Sequence, residues 1–350
     1  MNIPSHAGRV EMNRSEGLGG ASPPGEPFQW PYRWDDETVA MDDICAGLRF
    51  LNLAGKVVCL HSRLKSFGWV GAPDDYANYG VAKDIVRAFL DLGCTLVVPT
   101  YTLKFECPPP SGSGPEQNGW DEDTAGGWFY NEFSRDQWQE HWKIEGYSRR
   151  TWLIDVKSMG MVPYAVIRWP RRSRGNHPLQ SFAAVGPRAA EVVARQRPMA
   201  PHAHFDLVDT VLMMGTSFER LTLVHYAEIL AGRRPFRRWA LSGAGRISPV
   251  LLDGCSEGFG RLEPVLRPRG QEIYVGDSRW IALPAPQALV AAAAAIRAGA
   301  NLTHCADARC VRCNDMAAGG PVPGTSASAP PVPEDLDTMR SWRRSRRAAR

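Results

Sequence analysis

The sequence lacks an apolar run long enough to cross a bilayer. The longest candidate, ALVAAAAAIRAGA at 288–300, is rich in alanine and interrupted by Arg297, and it predicts a helix. The first residues, MNIPSHAGRVEMNRSEG, lack the apolar core of a signal peptide. We therefore expect a cytoplasmic protein with no membrane partner, whose 8 cysteines are mostly reduced thiols.

The sequence also lacks the motifs that mark several large enzyme classes. No GxGxxG follows a strand, so a nicotinamide or flavin site has no support, and the absence of GxxxxGK[ST] argues against a nucleoside-triphosphate site. The GxSxG of the hydrolase nucleophile elbow and the HExxH motif are missing as well. The HxxxD spacing within HAHFD at 202–206 is too short a pattern to carry weight.

Charge and composition divide the chain into three regions. The formal net charge of +4 is too small to indicate a nucleic-acid partner. The composition of residues 1–34 predicts a flexible N-terminal lead-in segment. The Pro/Ser/Arg-rich tail at 319–350 is expected to be disordered. The ordered domain is then expected at 35–318, with an aromatic-rich insertion or lid-like segment at 104–150.

Short apolar runs alternate with stretches of helical spacing along this domain. Buried strands are predicted in three runs, at 55–61 (GKVVCLH), 94–102 (CTLVVPTYT) and 209–215 (DTVLMMG). Helices are predicted at 79–93 (YGVAKDIVRAFLDLG), 187–196 (PRAAEVVARQ), 222–232 (TLVHYAEILAG) and in the alanine-rich run, with a small strand or hairpin at 271–283 (QEIYVGDSRWIAL). This order of elements predicts an α/β fold.

Four stretches carry a more specific pattern: LHSRLKSFGWVG at 60–71, LVVPTYT at 96–102, RGNHPLQSFAAVGPRA at 174–189 and GTSFERLTLVHYAE at 215–228. In order, spacing and character they resemble the aminoglycoside 3-N-acetyltransferase family, antibiotic N-acetyltransferases that are unrelated to the GNAT fold. The resemblance runs from about Asn52 to Pro321 and is most specific in RxxHPxxSFAAxG, followed by TxxHxAE. Glycine at 175 and glutamate at 219 depart from the serine and aspartate that are common in the family.

The resemblance implies a fold, a reaction and a set of residues. The fold is a mixed central sheet flanked by helices, and the reaction transfers acetyl from acetyl-CoA to the 3-amino group of a 2-deoxystreptamine antibiotic, which confers resistance. The general base of the family falls on His177 and its acidic positions fall on Glu219 and Glu228. The implied partner is a small aminoglycoside or related amine, bound by a monomer or homodimer.

The same chemistry can be argued from the residues themselves. An amine must be neutral to attack a thioester, and histidine suits this task because its reference pKa of about 6.5 lies near working pH. A carboxylate on the far ring nitrogen would fix the tautomer, and Glu219 and Glu228 are the candidates. No cysteine or serine lies in a nucleophile-elbow motif, so we expect the acetyl group to pass directly to the amine without an acyl-enzyme. Thr222 is expected either to donate to the oxyanion or to cap the helix that follows it.

Binding residues are expected at the ends of the predicted strands. The loop HSRLKS offers Ser62, Lys65 and Ser66 to acetyl-CoA, although a merely solvated loop is the alternative. The strand-end Thr100 and Thr102 could face the thioester or be ordinary strand residues. For the substrate, a polycation that requires an acidic pocket, the candidates are His225, which shares a helix face with Glu228, and Asp155.

A second cluster of potential ligands lies near the end of the domain. HCADARCVRC offers His304, Cys305, Cys310 and Cys313, and zinc binds cysteine and histidine at such spacings. His304 and Cys305 are adjacent and point in different directions, so we expect reduced thiols and no required metal. Two other functions stay open: a biosynthetic N-acyltransferase of the same fold, acting on another natural-product amine, and a non-catalytic CoA-binding homologue.

Overall fold

The structure is a computed structural model that describes residues 39–67, 75–107, 146–233, 235–243, 246–299 and 301–307, together with Cys310 and Cys313. The predicted lead-in at 1–34, the tail at 319–350 and most of the predicted insertion at 104–150 lie outside these residues. Among the described helices, none is both long and apolar enough to cross a membrane.

Strands and helices alternate along most of the described chain. The strands are β1 Val57–Ser62, β2 Thr95–Pro99, β3 Glu106–Cys107, β4 Ser173–Arg174, β5 Phe182–Val185, β6 Thr210–Met214, β7 Phe236–Ser242, β8 Arg246–Leu252, β9 Gln271–Val275 and β10 Ser278–Pro284. The α-helices are α1 Met41–Phe50, α2 Asp75–Asp91, α3 Val156–Met159, α4 Met161–Ile167, α5 Ala189–Ala194, α6 Leu223–Leu230, α7 Glu263–Leu266 and α8 Ala285–Ala298.

The central sheet is mixed and has the strand order β4-β5-β2-β1-β6-β10-β9. Its middle strands β2, β1 and β6 are parallel, whereas β5 and β10 run antiparallel to the neighbours on which they pair. The register places Val58 opposite Leu96 on one side and opposite Thr210 on the other. The expected mixed central sheet flanked by helices is confirmed.

Helices cover both faces of this sheet because side chains alternate along each strand. Val58 and Leu60 point into a buried cluster with α1, α2 and α4. Val57 and Cys59 point the opposite way, into a second cluster formed with α5, α6 and α8. The strands are apolar on both faces for this reason, which is typical of a sheet between two helical layers.

The predicted strands and helices of the sheet are confirmed, but a second sheet escaped prediction. It has the order β3-β7-β8, and its principal pair is an antiparallel hairpin with Trp239 opposite Pro249. At the end of β8 the Leu251 amide donates to the Pro198 carbonyl at 2.8 Å, and the Leu251 carbonyl lies 2.8 Å from His177 Nε2. Thr102, which follows β2, donates its hydroxyl to the carbonyl of Pro178 beside that histidine. These contacts bring the end of β8 close to the carboxyl end of β2.

Candidate functional site

The carboxyl ends of the parallel strands form the edge where α/β sheets place their ligands. His61 ends the apolar part of β1, Tyr101 follows β2, and β6 leads through a short turn to α6. Helix α6 carries His225 on its buried face, and the Asp253 that follows β8 reaches the same point. The site therefore combines the central sheet, one helix and the small hairpin.

His225 is held so that one ring nitrogen stays available. Its Nδ1 lies 3.1 Å from Oε2 of Glu228, one turn further along α6, so a neutral ring donates Nδ1–H to this carboxylate. Its Nε2 lies 3.9 Å from Oδ2 of Asp253, too far for a hydrogen bond. Burial alone would lower the pKa of His225, but the carboxylates of Asp253 and Glu228 outweigh it and raise that pKa.

Asp253 is a buried carboxylate between two imidazoles. Its Oδ1 accepts a hydrogen bond from His202 Nε2 at 2.5 Å, and its backbone N–H donates to Gln180 Oε1 at 3.1 Å. Burial alone would raise the pKa of Asp253, but the rings of His202 and His225 lower it to about 2. Asp253 is therefore ionised at neutral pH and gives the site a fixed negative charge.

Glu228 is fully engaged behind His225. While Oε2 faces the imidazole, Oε1 accepts from Arg233 Nη1 at 2.7 Å and from the Thr303 hydroxyl at 2.6 Å. All of these groups are buried. The arrangement holds the carboxylate in one position, and through it the orientation and tautomer of the His225 ring.

Five buried polar atoms near His202 and Asp253 have no hydrogen-bond partner within the described residues. They are Oδ2 of Asp253, Nδ1 of His202, the hydroxyl of Tyr101 and both ring nitrogens of His204. The Asp253 carboxylate is close enough to Tyr101 to contribute to its raised pKa, after the larger effect of burial. Buried groups of this kind are costly unless paired, so they mark the place where a polar ligand would complete the site.

His61 and Thr222 form a neighbouring polar pair. The Thr222 hydroxyl lies 3.2 Å from His61 Nε2, and it makes no cap hydrogen bond to α6. Burial lowers the pKa of His61 to about 4, so this ring is neutral at neutral pH. The thiol of Cys59 lies 3.9 Å from the same nitrogen, and burial raises its pKa well above the ordinary value.

His177 occupies a different environment from His225. Its Nδ1 accepts the backbone N–H groups of Leu179 and Gln180 at 3.2 and 2.9 Å, and Nε2 therefore donates to the Leu251 carbonyl at 2.8 Å. The side chain is fully buried, and burial lowers its pKa to about 4. Both ring nitrogens are thus occupied by backbone, and the ring ties the turn before β5 to the end of β8.

The two threonines expected at the thioester are also engaged by backbone. The Thr100 hydroxyl donates to the Ser181 carbonyl at 3.0 Å, and the Thr102 hydroxyl donates to the Pro178 carbonyl at 2.7 Å. Both side chains are buried. In this structure they fasten the strand-end segment to the turn that carries His177.

The expected cofactor loop lies at the end of β1, at the carboxyl edge of the parallel strands. Lys65 is exposed and Ser62 half-buried, so an ammonium and a hydroxyl are available there to phosphate or pantetheine. Ser66 is less free, because its hydroxyl donates to the Arg63 carbonyl at 2.6 Å and lies 2.8 Å from the Ser278 hydroxyl. The charge and position of this loop fit a CoA pyrophosphate.

The remaining acidic candidates are not brought to the imidazoles by any described hydrogen bond. Asp155 begins α3, where it accepts from the amide and hydroxyl of Ser158 at 3.3 and 2.5 Å. Glu219 lies against Gly260, where a side chain on the glycine would collide with its carboxylate. Of the acids expected from the sequence, Glu228 is the one that contacts a site histidine.

Sequence reasoning missed Asp253 and His202. Asp253 follows a hairpin that the sequence did not predict, and its pairing with His202 joins positions far apart in the chain. The HxxxD spacing at 202–206 ends on Asp206, whose carboxylate accepts from the Tyr226 hydroxyl at 2.8 Å and not from a site imidazole. Only the position of Asp253 directly after β8 could have indicated it as a site residue, and this strand was not predicted from the sequence.

Known proteins resemble this chain over much of its length. The family model described as aminoglycoside 3-N-acetyltransferase matches residues 59–296. Aminoglycoside N(3)-acetyltransferase IX of Micromonospora chalcea is 31% identical over 211 residues, which are 57% of this chain and 63% of the relative. The SPbeta prophage-derived aminoglycoside N(3')-acetyltransferase-like protein YokD of Bacillus subtilis is 25% identical over 211 residues, 57% of this chain and 65% of its own. The matched part is therefore less than two thirds of either relative.

Solved structures share the fold. The apoenzyme of aminoglycoside acetyltransferase AAC(3)-IVa superposes with a TM-score of 0.57 at 20% identity, over 84% of this chain and 99% of that one. A histidine-to-alanine variant of that enzyme, in complex with a gentamicin, gives a TM-score of 0.57 at 20% identity over 83% and 99%. AAC-IIIb in binary complex with CoASH gives 0.56 at 18% identity over 74% and 96%.

Proposed function

Because this chain belongs to the aminoglycoside 3-N-acetyltransferase family, we propose that it transfers acetyl from acetyl-CoA to the 3-amino group of a 2-deoxystreptamine aminoglycoside. Modification of that amine would make the host resistant to the antibiotic. The gap between His225 Nε2 and Asp253 Oδ2 is the observation that carries the proposal. Two acceptors at 3.9 Å, one of them ionised, suit an ammonium or amine that donates to both.

We propose His225 as the general base, rather than the His177 expected from the sequence. The substrate arrives largely as an ammonium, attracted by Asp253, and His225 Nε2 takes its proton. The nitrogen lone pair then attacks the thioester carbonyl, and the imidazolium is stabilised by Glu228 and Asp253. Collapse of the tetrahedral intermediate expels the CoA thiolate, which takes a proton from the imidazolium. The neutral His225 ring then accepts the second proton, which the nitrogen loses as it becomes the amide, and passes it to solvent.

Two further features of the site suit this mechanism. Thr222 can donate its hydroxyl hydrogen to the developing oxyanion while it accepts the Nε2–H of the neutral His61. Cys59 is a poor nucleophile because burial keeps its thiol protonated. The site therefore favours direct transfer over an acyl-cysteine intermediate, with Lys65 and Ser62 at the CoA pyrophosphate.

The test compares two histidine variants in an assay for thiol release from acetyl-CoA with a panel of 2-deoxystreptamine antibiotics. His225→Asn is expected to lower kcat by about 10²–10⁴-fold while CoA binding is kept, since the general base is lost. His177→Asn keeps an acceptor for the Leu179 and Gln180 amides but leaves the Leu251 carbonyl without its donor, which should cost about 1–3 kcal/mol of stability. Because the bond that is lost is to backbone, turnover of the folded variant should stay within about tenfold of the wild type.

If His177→Asn lowers kcat far more than His225→Asn does, the general base is His177 and not His225. Thiol release with none of the antibiotics, despite CoA binding, would overturn the proposed substrate. In that case a panel of other amines and longer acyl-CoA donors distinguishes a biosynthetic N-acyltransferase from a CoA-binding protein without turnover.

A further inference from the structure

Four cysteine side chains converge at a place that the proposed reaction does not use. The Sγ atoms of Cys255, Cys305, Cys310 and Cys313 all lie within 4.8 Å of one another. Cys255 belongs to the loop after β8, and the other three follow α8. Three of the four lie beyond residue 296, where the match to the family model ends. All four are free thiols in this structure.

We propose that these four thiols bind one structural zinc ion. Zinc takes four thiolates in a tetrahedron at about 2.3 Å, which places the sulfur atoms about 3.8 Å apart. The observed spacing needs only a small contraction to reach this geometry. Cys310 and Cys313 also have the C-x-x-C spacing that is typical of such sites. Cys305, a few residues earlier, and Cys255, in the loop after β8, supply the other two ligands.

Backbone groups around the sulfur atoms suit bound thiolates. The Cys305 amide lies 3.3 Å from the Cys313 sulfur, and the Glu257 amide lies 3.5 Å from the Cys255 sulfur. Such N–H groups stabilise the negative charge of metal-bound sulfur. Cys313 is buried, whereas Cys255 and Cys310 are half-buried, so the cluster is shielded yet reachable for a metal ion.

The two segments that supply the ligands already touch closely. Arg261 donates to the His304 carbonyl, and a side chain at Gly258 would collide with the carbonyl oxygens of Thr303 and His304. His304 is not among the side chains that converge there, and its Nδ1 lies 2.6 Å from the Cys305 carbonyl oxygen. With four thiolates the coordination sphere is closed, so the metal has a structural role and binds no substrate.

The site joins the two segments that hold the carboxylates on either side of His225. Asp253 lies two residues before one ligand, and Thr303, which donates to Glu228, lies two residues before another. The metal proposal does not depend on the acetyl-transfer reaction, because it rests on the thiols alone. It replaces the expectation of reduced thiols without metal, which did not include Cys255.

The test measures metal in the full-length protein, purified without a histidine tag and without added metal. Mass spectrometry of the elements is expected to find about one zinc per chain, released by a mercurial reagent that titrates the thiols. Cys310→Ser should lose most of this zinc. Cys45→Ser, at another half-buried free cysteine in α1, is the matched control and should keep it.

If Cys310→Ser fails to fold, cobalt substitution of the wild-type protein tests the same site without a variant. Wild-type protein produced with Co²⁺ in place of zinc should show the sulfur-to-cobalt charge-transfer bands and visible absorption of a tetrahedral thiolate site. The proposal is overturned by metal-free protein with four reactive thiols, by disulfides found in the intact mass, by stoichiometric iron, or by zinc that Cys310→Ser retains.

Discussion

At the scale of single residues, the two histidine-containing motifs place their histidines in opposite chemical situations. In His177 both ring nitrogens are hydrogen-bonded to backbone groups. His225 has one nitrogen on a carboxylate and the other turned toward Asp253. The difference comes from the group that faces Nε2 of each ring, which is the Leu251 carbonyl for His177 and Asp253 for His225. Neither group belongs to the sequence motif that contains the histidine.

The carboxylate of Asp253 should control the pH dependence of acetyl transfer. Asp253 raises the pKa of His225 above 6.5, so kcat/KM is expected to fall as the pH decreases through this raised value, where the base becomes protonated. Asp253→Asn removes the charge that stabilises the imidazolium, and the acidic limb should therefore move to lower pH. The KM for aminoglycoside should rise about tenfold or more, since a hydrogen bond to a charged group is worth about 1.5–3 kcal/mol.

Asp206→Asn provides the matched control for this pH profile. Asp206 is an exposed carboxylate near the same helix, but its partner is the Tyr226 hydroxyl rather than a site imidazole. The variant should keep both the acidic limb and the KM of the wild type. An acidic limb that stays in place in Asp253→Asn would show that another group titrates as the base.

At the scale of elements, the strands with a clear apolar pattern could be predicted from the sequence. The strands that contain several charged residues could not. Strands β1, β2 and β6 are apolar on both faces and could be predicted directly. The hairpin β7–β8 contains Arg237, Arg238 and Pro249, residues that disfavour a buried-strand prediction. Because Asp253 is positioned by that hairpin, the missing element also concealed a site residue.

The turn after β6 should be sensitive to a single added methyl group. Gly215 has a φ of +68°, and a side chain there would collide with the hydroxyls of Ser66 and Ser278. Gly215→Ala is expected to cost about 1–2 kcal/mol for the left-handed backbone and about 1–3 kcal/mol more for the crowding. Urea unfolding measures this loss, and because Ser66 must move, the KM for acetyl-CoA should rise as well.

Gly55→Ala separates the two contributions. Gly55 has a similar φ of +71°, but nothing lies within 4 Å of the place where its side chain would project. This variant should therefore lose only the backbone contribution and keep the KM for acetyl-CoA. Equal losses of stability in the two variants would show that the contact between Ser66 and Gly215 is not tight.

At the scale of the whole molecule, buried neutral histidines should make the fold sensitive to acid. The folded-state pKa values of His61 and His177 are about 4, against 6.5 for the free side chain. Between these values the unfolded chain binds more protons, so the free energy of unfolding should decrease as the pH falls from 6.5 toward 4. Urea unfolding at several pH values measures the slope.

Replacement of one of these rings tests the origin of that slope. His177→Asn cannot take up a proton, so the decrease in unfolding free energy over this pH range should be smaller than in the wild type. An unchanged slope would assign the acid sensitivity to other groups. The absolute stability of the variant at neutral pH does not affect the comparison, because only the pH dependence is used.

The hydrogen bond between Thr303 and Glu228 has a consequence for synthesis of the protein. The carboxylate that orients His225 is completed by a hydroxyl translated long after the helix that bears both residues. A nascent chain still attached to the ribosome can form the central strands before residue 303 has left the exit tunnel, since folding begins at the N-terminal end. His225, proposed above as the base, should therefore acquire its final orientation only after residue 303 has emerged from the ribosome.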